Sequence, residues 1–125
     1  MNSKNKIKSF TDLNVWQEGH KLVLMVYQIT KTFPKEEKFG IIDQMRRAAI
    51  SITSNIAEGF SRQTFKEKTQ FYYMALGSIT ELQNQLLVAK DIDYLKEKDF
   101  KEVAGQIIIV HKLLNAFITK TKSLA

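Results

Sequence analysis

The chain has 125 residues, of which 44% are hydrophobic, with one proline, no cysteine and a formal charge of +6. This length suits one domain that buries about two thirds of the surface of its unfolded chain, and the apolar content is too high for a disordered protein. Without cysteine the chain forms neither a disulfide nor a thiolate metal site.

Three breaks divide the chain into four segments whose apolar residues recur at the spacing of an α-helix. The three breaks are Phe33-Pro34-Lys35, Glu58-Gly59-Phe60-Ser61 and Asp91-Ile92-Asp93-Tyr94. We predict helices over about 12–33, 39–58, 65–90 and 97–121, with a basic, flexible tail at 1–11 and a short C-terminal tail at 122–125. Because the connections are short, successive helices run antiparallel. The predicted fold is all-α, an up-down-up-down four-helix bundle.

The signals at the helix ends differ in strength. Pro34 ends the first helix, because the residue before a proline leaves the helical region. Gly59 is predicted as a left-handed cap after the second helix. Thr64 and Glu67 form a capping box for the third helix, whereas Lys96 is a poor cap for the fourth. Gly77, inside the third helix, is unfavourable by about 1 kcal/mol relative to alanine, and we expect close helix packing to explain it.

No targeting or membrane-spanning segment is apparent. The first ten residues lack an apolar stretch typical of a signal peptide. The longest apolar runs, Leu22–Tyr27 and Ile107–Val110, are far shorter than the roughly 20 residues that span a bilayer. We expect a cytoplasmic protein without a membrane partner.

Polar side chains form a second face on the second predicted helix, beside its apolar stripe. That face contains Gln44, Arg47, Ser51, Asn55 and Glu58, and the third helix carries a similar row with Ser78 and Glu81. Three interpretations stay open: a buried network between the helices, an interface for a ligand or partner, or a solvated face. Under the first, Arg47 pairs with an acid such as Glu58 or Glu81.

No catalytic or metal-binding pattern is present in the sequence. Neither His20 nor His111 belongs to the Glu-x-x-His motif of di-iron bundles. The chain has no nucleophile elbow, Walker loop or dinucleotide fingerprint. We therefore expect no cofactor, no metal and no enzymatic activity.

One long run of residues carries a family resemblance. The run is Gln44-x-Arg46-Arg47-Ala48-Ala49-x-Ser51-Ile52-x-x-Asn55-Ile56-Ala57-Glu58-Gly59, and shorter matches are Phe10-x-x-Leu13-x-Val15-Trp16, Tyr27-x-x-Thr30, Phe33-Pro34 and Gly77-Ser78-x-x-Glu81-Leu82. Together they resemble the 23S rRNA intervening-sequence proteins over about residues 10–116.

That resemblance implies a four-helix bundle that assembles into a homopentamer, with no enzymatic activity and a poorly defined role. The chain is also similar to the accessory variability determinant of diversity-generating retroelements, a basic pentamer that binds nucleic acid and a reverse transcriptase. The resemblance thus implies two hypotheses: an RNA- or DNA-binding protein, or a scaffold or accessory subunit of a nucleic-acid enzyme.

The excess positive charge lies near the two chain ends. Residues 1–35 carry +4 and residues 96–125 carry +3, whereas the middle of the chain is close to neutral. Sixteen of the nineteen cations are lysines, which suits contact with phosphates better than bidentate reading of bases. The candidate phosphate-binding residues are Lys4, Lys6, Lys8, Lys21, Lys112, Lys120 and Lys122.

Overall fold

The computed structural model describes residues 6–125, which form four long helices and two short 3-10 turns. The helices are α1 (Asn14–Thr30), α2 (Ile41–Phe60), α3 (Phe65–Asp91) and α4 (Glu97–Ser123), and the turns are Phe10–Asp12 and Lys35–Glu37. α1 packs against α2 and α4, and α3 packs against the same two helices. The four-helix bundle predicted from the sequence is confirmed.

The start of the bundle differs from the prediction because a hydrogen-bonded turn precedes α1. The Ser9 hydroxyl accepts a hydrogen bond from the backbone N–H of Thr11 (3.0 Å), and the Asp12 carboxylate accepts one from the backbone N–H of Ser9 (3.1 Å). The flexible tail predicted through residue 11 therefore contains a capped turn, and α1 begins at Asn14 instead of about residue 12.

Gly59 lies inside α2, which continues to Phe60. No glycine in the described part of the chain has a positive φ, so the left-handed cap predicted at Gly59 is wrong. Packing explains this glycine instead. A Cβ atom at Gly59 would lie 2.6 Å from Cε1 of Tyr72 and 2.9 Å from Cβ of Phe71. The absence of a side chain lets the end of α2 approach the beginning of α3 closely.

The other end signals have mixed outcomes. The Thr64 hydroxyl accepts a hydrogen bond from the Glu67 N–H (3.1 Å), which confirms the predicted cap of α3. Lys96 makes no side-chain cap for α4, also as predicted. The close helix packing expected at Gly77 is absent within the described part of the single chain, because a Cβ atom at Gly77 would meet only open space.

The apolar stripes of the four helices meet in one central core. Its fully buried large side chains are Leu22, Val26, Met45, Ile52, Ile56, Tyr72, Ile79, Leu82, Leu86, Val103, Ile107 and Leu114. Each aliphatic side chain removed from water stabilises the fold by about 1.5–3 kcal/mol. The bundle is closed between α1 and α4, where the Gln106 amide donates to the backbone oxygen and to the carboxylate of Glu18, both at 2.9 Å.

α4 is long and apolar enough to cross a membrane by length and composition alone, since one 18-residue window reaches a mean hydropathy of 1.2. One side of α4 nevertheless packs in the bundle core through Val103, Ile107, Val110 and Leu114. Core packing therefore accounts for part of the apolar character of this helix, because a third of that window is buried.

Candidate nucleic-acid interface

The antiparallel fold brings three basic segments to one end of the bundle. These are the residues before α1 (6–12), the α2–α3 turn with its flanking residues (58–68) and the end of α4 (117–125). A cavity lined by Ile7, Phe60, Lys68 and Leu124, among others, shows that the segments adjoin one another. We call this region the basic end. Its side chains include seven cations and three acids, so it carries most of the net charge of the described residues.

Four of the predicted lysines lie at the basic end, namely Lys6, Lys8, Lys120 and Lys122. Lys21 and Lys112 lie farther along α1 and α4, where they are exposed but separate from this cluster. Lys4 lies outside the described residues.

The prediction missed Arg62, Lys66 and Lys68, which join the cluster through the α2–α3 turn. Charge totals along the sequence conceal them, because nearby acids balance them in the count. The predicted antiparallel topology places this turn at the same end of the bundle as both terminal segments, so these three cations could have been assigned to the cluster from it.

The cations of the basic end differ in how firmly they are held. The Lys122 ammonium lies 3.1 Å from the Tyr73 hydroxyl, and the Lys68 ammonium donates to the backbone oxygen of Phe60. Arg62 stacks on the Phe71 ring at 4.5 Å and pairs with Glu58 at 3.2 Å. These contacts hold the charged groups of Lys68, Lys122 and Arg62 in place.

The charge arrangement at the start of α3 is unfavourable for the helix itself. Lys66 and Lys68 lie in or just after its first turn, where the helix dipole favours acids. Both lysines also lie among the other cations of the basic end. Glu67, also in the first turn of α3, is the acid that offsets part of this charge.

The only acid in the segment before α1 is already engaged. Asp12 accepts hydrogen bonds from the backbone N–H groups of Lys8 (2.9 Å) and Ser9 (3.1 Å). Those two hydrogen bonds hold the pKa of the Asp12 carboxyl below its usual range. Asp12 therefore stays ionised and stabilises the local turn, and its single negative charge is outnumbered by the seven cations of the basic end.

Three residues of the predicted polar rows form a network between α2 and α3. The Ser51 and Ser78 hydroxyls lie 2.8 Å apart, and the Asn55 amide donates to the backbone oxygen (2.8 Å) and hydroxyl (3.1 Å) of Ser51. The small Ser51 and Ser78 side chains allow these helices to approach closely. Ser51, Asn55 and Ser78 thus match the first of the three interpretations, a network between the helices.

The charged members of the predicted rows do not join this network. Arg47 is 79% exposed at its side chain and pairs with Asp43 at 2.9 Å, so the proposed pairing with Glu58 or Glu81 is corrected. Glu58 instead pairs with Arg62. Gln44 and Glu81 are exposed. Charged groups on this helix face reach water, so they need no buried partner.

Arg46, the neighbour of Arg47, has the structural role that the sequence analysis did not assign. Its Nε donates to the Thr30 hydroxyl at 2.9 Å, and its guanidinium lies 4.5 Å from the centre of the Tyr27 ring. Tyr27, Thr30 and Arg46 all belong to the motifs quoted above. Because all three residues belong to those motifs, the sequence contained a signal from which this contact between α1 and α2 could have been inferred.

The outer surface of α3 and α4 carries an exposed apolar region. Tyr73, Leu87, Val88 and Ile108 are each between 43% and 51% exposed, and we call these four residues the α3–α4 face. A groove of about 260 Å³ runs beside Leu87 and Ile108. Exposed apolar side chains grouped in this way, as Leu87 and Ile108 are along the groove, are typical of a protein contact. Gly77 lies on the outer side of α3 and leaves space for a close neighbour.

Comparison with known proteins gives one family and one fold. A family model described as 23S rRNA-intervening sequence protein matches residues 11–116. The crystal structure of a protein of unknown function from the S23 ribosomal protein family of Bacteroides thetaiotaomicron is similar, with a TM-score of 0.78 and 21% identity over 84% of this chain and 95% of that chain. No curated protein matches this chain.

Proposed function

The chain belongs to the 23S rRNA-intervening sequence protein family, and from that premise we propose that it is a non-enzymatic homo-oligomer that binds RNA or DNA through phosphates at its basic end. The observation that carries the proposal is the joining of three separate basic segments at that end. Seven cations converge there, six of them lysines, which act as point charges toward phosphate. The proposal places the protein in the cytoplasm, where such polyanions occur.

Self-assembly would strengthen this electrostatic attraction. We propose a pentamer, as the family resemblance implies, with the α3–α4 face as a contact between copies. Exposed apolar side chains beside an unobstructed Gly77 support a close contact at this surface. Five copies would together carry about +30, and the summed field would attract a polyanion from a distance.

The proposal is tested by titrating the protein with a 20-nucleotide single-stranded RNA in a mobility-shift assay at two salt concentrations. The variant Lys66→Gln/Lys120→Gln/Lys122→Gln removes three charges from the basic end. We expect the affinity of this variant to fall at least tenfold at low salt. The slope of the logarithm of the binding constant against the logarithm of the salt concentration should become shallower by about 2.

The matched control is Lys31→Gln/Lys98→Gln/Lys101→Gln, which removes the same charge from the opposite half of the bundle. We expect this control to retain most of the affinity of the unaltered protein. Equal losses in both variants would mean that net charge matters and the basic end does not. An unaltered protein that fails to bind at low salt would refute the proposal.

The α3–α4 face also favours a second candidate function. It could dock another protein, which would make the chain a scaffold or an accessory subunit of a nucleic-acid enzyme such as a reverse transcriptase. Light scattering separates the two uses of this face. A pentamer that reverts to smaller species in Ile108→Glu supports self-assembly, whereas a monomer that captures a protein partner from its native cells supports the scaffold.

A further inference from the structure

A cavity of about 470 Å³ opens at the basic end of the bundle. Its walls come from the residues beside the start of α1, the end of α2, the start of α3 and the last turns of α4. Most of the lining is apolar and includes Leu13, Phe60, Phe65, Tyr72 and Phe117. The volume falls within the range of about 300–1,000 Å³ that is typical of sites for small organic molecules.

The charged residues that line the cavity are both cations. They are Lys68 and Lys120, and the lining contains no acid. The Lys68 ammonium uses one N–H group for the backbone oxygen of Phe60, which leaves two. The Lys120 side chain makes no hydrogen bond or ion pair within residues 6–125 and is exposed. The charged groups of the cavity therefore favour a negatively charged ligand.

Tyr72 contributes a further hydrogen-bond donor. Its side chain is only 1% exposed, and its hydroxyl has no hydrogen-bond partner among the described residues. Burial raises the pKa of Tyr72 to about 12, so the hydroxyl stays protonated at neutral pH. The Thr121 hydroxyl, by contrast, already donates to the backbone oxygen of Phe117 at 2.8 Å. A ligand oxygen in the cavity can accept a hydrogen bond from the Tyr72 hydroxyl, because Tyr72 lines the cavity.

We propose that this cavity binds an amphipathic anion, specifically a single acyl chain that ends in a carboxylate. The acyl chain would lie among the aromatic and aliphatic side chains, and the carboxylate would contact Lys68 and Lys120. An apolar interior with ammonium groups as its only charges matches both parts of such a molecule. The inference does not depend on nucleic-acid binding, because it rests on the interior of the cavity.

The proposal is tested by isothermal titration of the full chain with dodecanoate, decanoate and dodecanol below their aggregation limits. We expect one dodecanoate per chain. Each methylene buried in the cavity should tighten binding roughly fourfold, so decanoate should bind roughly 15-fold more weakly than dodecanoate. Dodecanol, which lacks the charge, should bind at least tenfold more weakly than dodecanoate.

Two variants connect the binding to this cavity. Ala116→Trp places an indole in the cavity from an exposed position of α4, and it should reduce dodecanoate binding at least tenfold while circular dichroism shows an unchanged helix content. Lys120→Gln should weaken binding severalfold. Lys112→Gln, on the same helix but outside the lining, is the matched control and should bind as the unaltered chain does.

Three results would overturn the proposal. The first is an absence of dodecanoate binding. The second is equal binding of dodecanoate and dodecanol, which would remove the role of the lysines. The third is unchanged binding in Ala116→Trp, which would locate the acyl chain elsewhere.

Discussion

Gly59 of α2 lies directly against the ring of Tyr72 in α3, so that a methyl group added to Gly59 would come within 2.6 Å of Cε1 of that ring. The ring is buried between helices, with only 1% of Tyr72 exposed. This contact explains why the end of the α2 motif is a glycine although the chain is still helical there. It also ties the motif to the floor of the cavity at the basic end.

The first prediction is that Gly59→Ala lowers the free energy of unfolding by about 1–3 kcal/mol, since the added methyl group forces the Tyr72 ring or α3 to shift. Urea unfolding followed by circular dichroism measures the change. The matched control is Gly105→Ala, at an exposed position within α4 where a Cβ atom meets nothing. It should stabilise the fold by about 0.5–1 kcal/mol. A stabilised Gly59→Ala would contradict the packing role.

The second prediction separates the adjacent arginines of α2. Arg46→Ala should lower the free energy of unfolding by about 1–3 kcal/mol, because it removes the hydrogen bond to Thr30 and the contact with the Tyr27 ring. Arg47→Ala should change it by less than about 0.5 kcal/mol, since its pair with Asp43 is exposed. Thermal unfolding of both variants at one protein concentration checks this order. The reverse order would refute it.

The third prediction concerns the hydroxyl pair between α2 and α3. Ser51→Ala and Ser78→Ala should each lower the free energy of unfolding by about 0.5–1.5 kcal/mol, because each removes the part-buried hydrogen bond between α2 and α3. The double variant should lose less than the sum of the two single losses. A double-mutant cycle measures this coupling, and strictly additive losses would mean that the two hydroxyls do not interact.

The fourth prediction is a dependence of stability on alkaline pH that arises from Tyr72. Its pKa is raised from 10.0 to about 12 by burial, so the neutral form is favoured in the folded state. The resulting stability is fully present below pH 10, the pKa of the unfolded chain, and is lost as the pH rises through the folded pKa near 12. By that pH the loss is about 2–3 kcal/mol.

Tyr72→Phe is the matched variant for this effect. It lacks the ionisable hydroxyl, and that hydroxyl has no hydrogen-bond partner in the described chain, so its stability at pH 7 should stay within about 0.5 kcal/mol of the unaltered protein. Urea unfolding at pH 7, 10 and 11.5 compares the two proteins. If both lose the same stability between pH 10 and 11.5, Tyr72 is not the group responsible.

The sequence predicted the bundle well because apolar periodicity is a local property. Ile52, Ile56, Ile79 and Leu82 recur at helical spacing, and burying them draws the four antiparallel helices around one core. The role of Gly59 could not be found in this way. A glycine near a helix end suits a left-handed cap, and only the position of Tyr72 on another helix reveals the steric reason.

The candidate site was predicted less completely than the fold, for reasons of geometry. A charge sum along the chain identifies Lys120 and Lys122, because few acids lie near them. It misses Lys66 and Lys68, which Glu58 and Glu67 balance in the count although they share the surface with the terminal segments. The cavity depends on the relative positions of residues from four helix ends, and no local sequence pattern encodes those positions.

The hydrogen bonds from Gln106 to Glu18 join residues that are 88 positions apart in the chain. The α2–α3 hairpin, in contrast, is joined by a turn of four residues. Bringing distant segments together requires a larger loss of chain entropy than closing a short turn. We therefore expect the hairpin to form early during folding and the α1–α4 seam to form last, so that this seam is the place where the native bundle opens first.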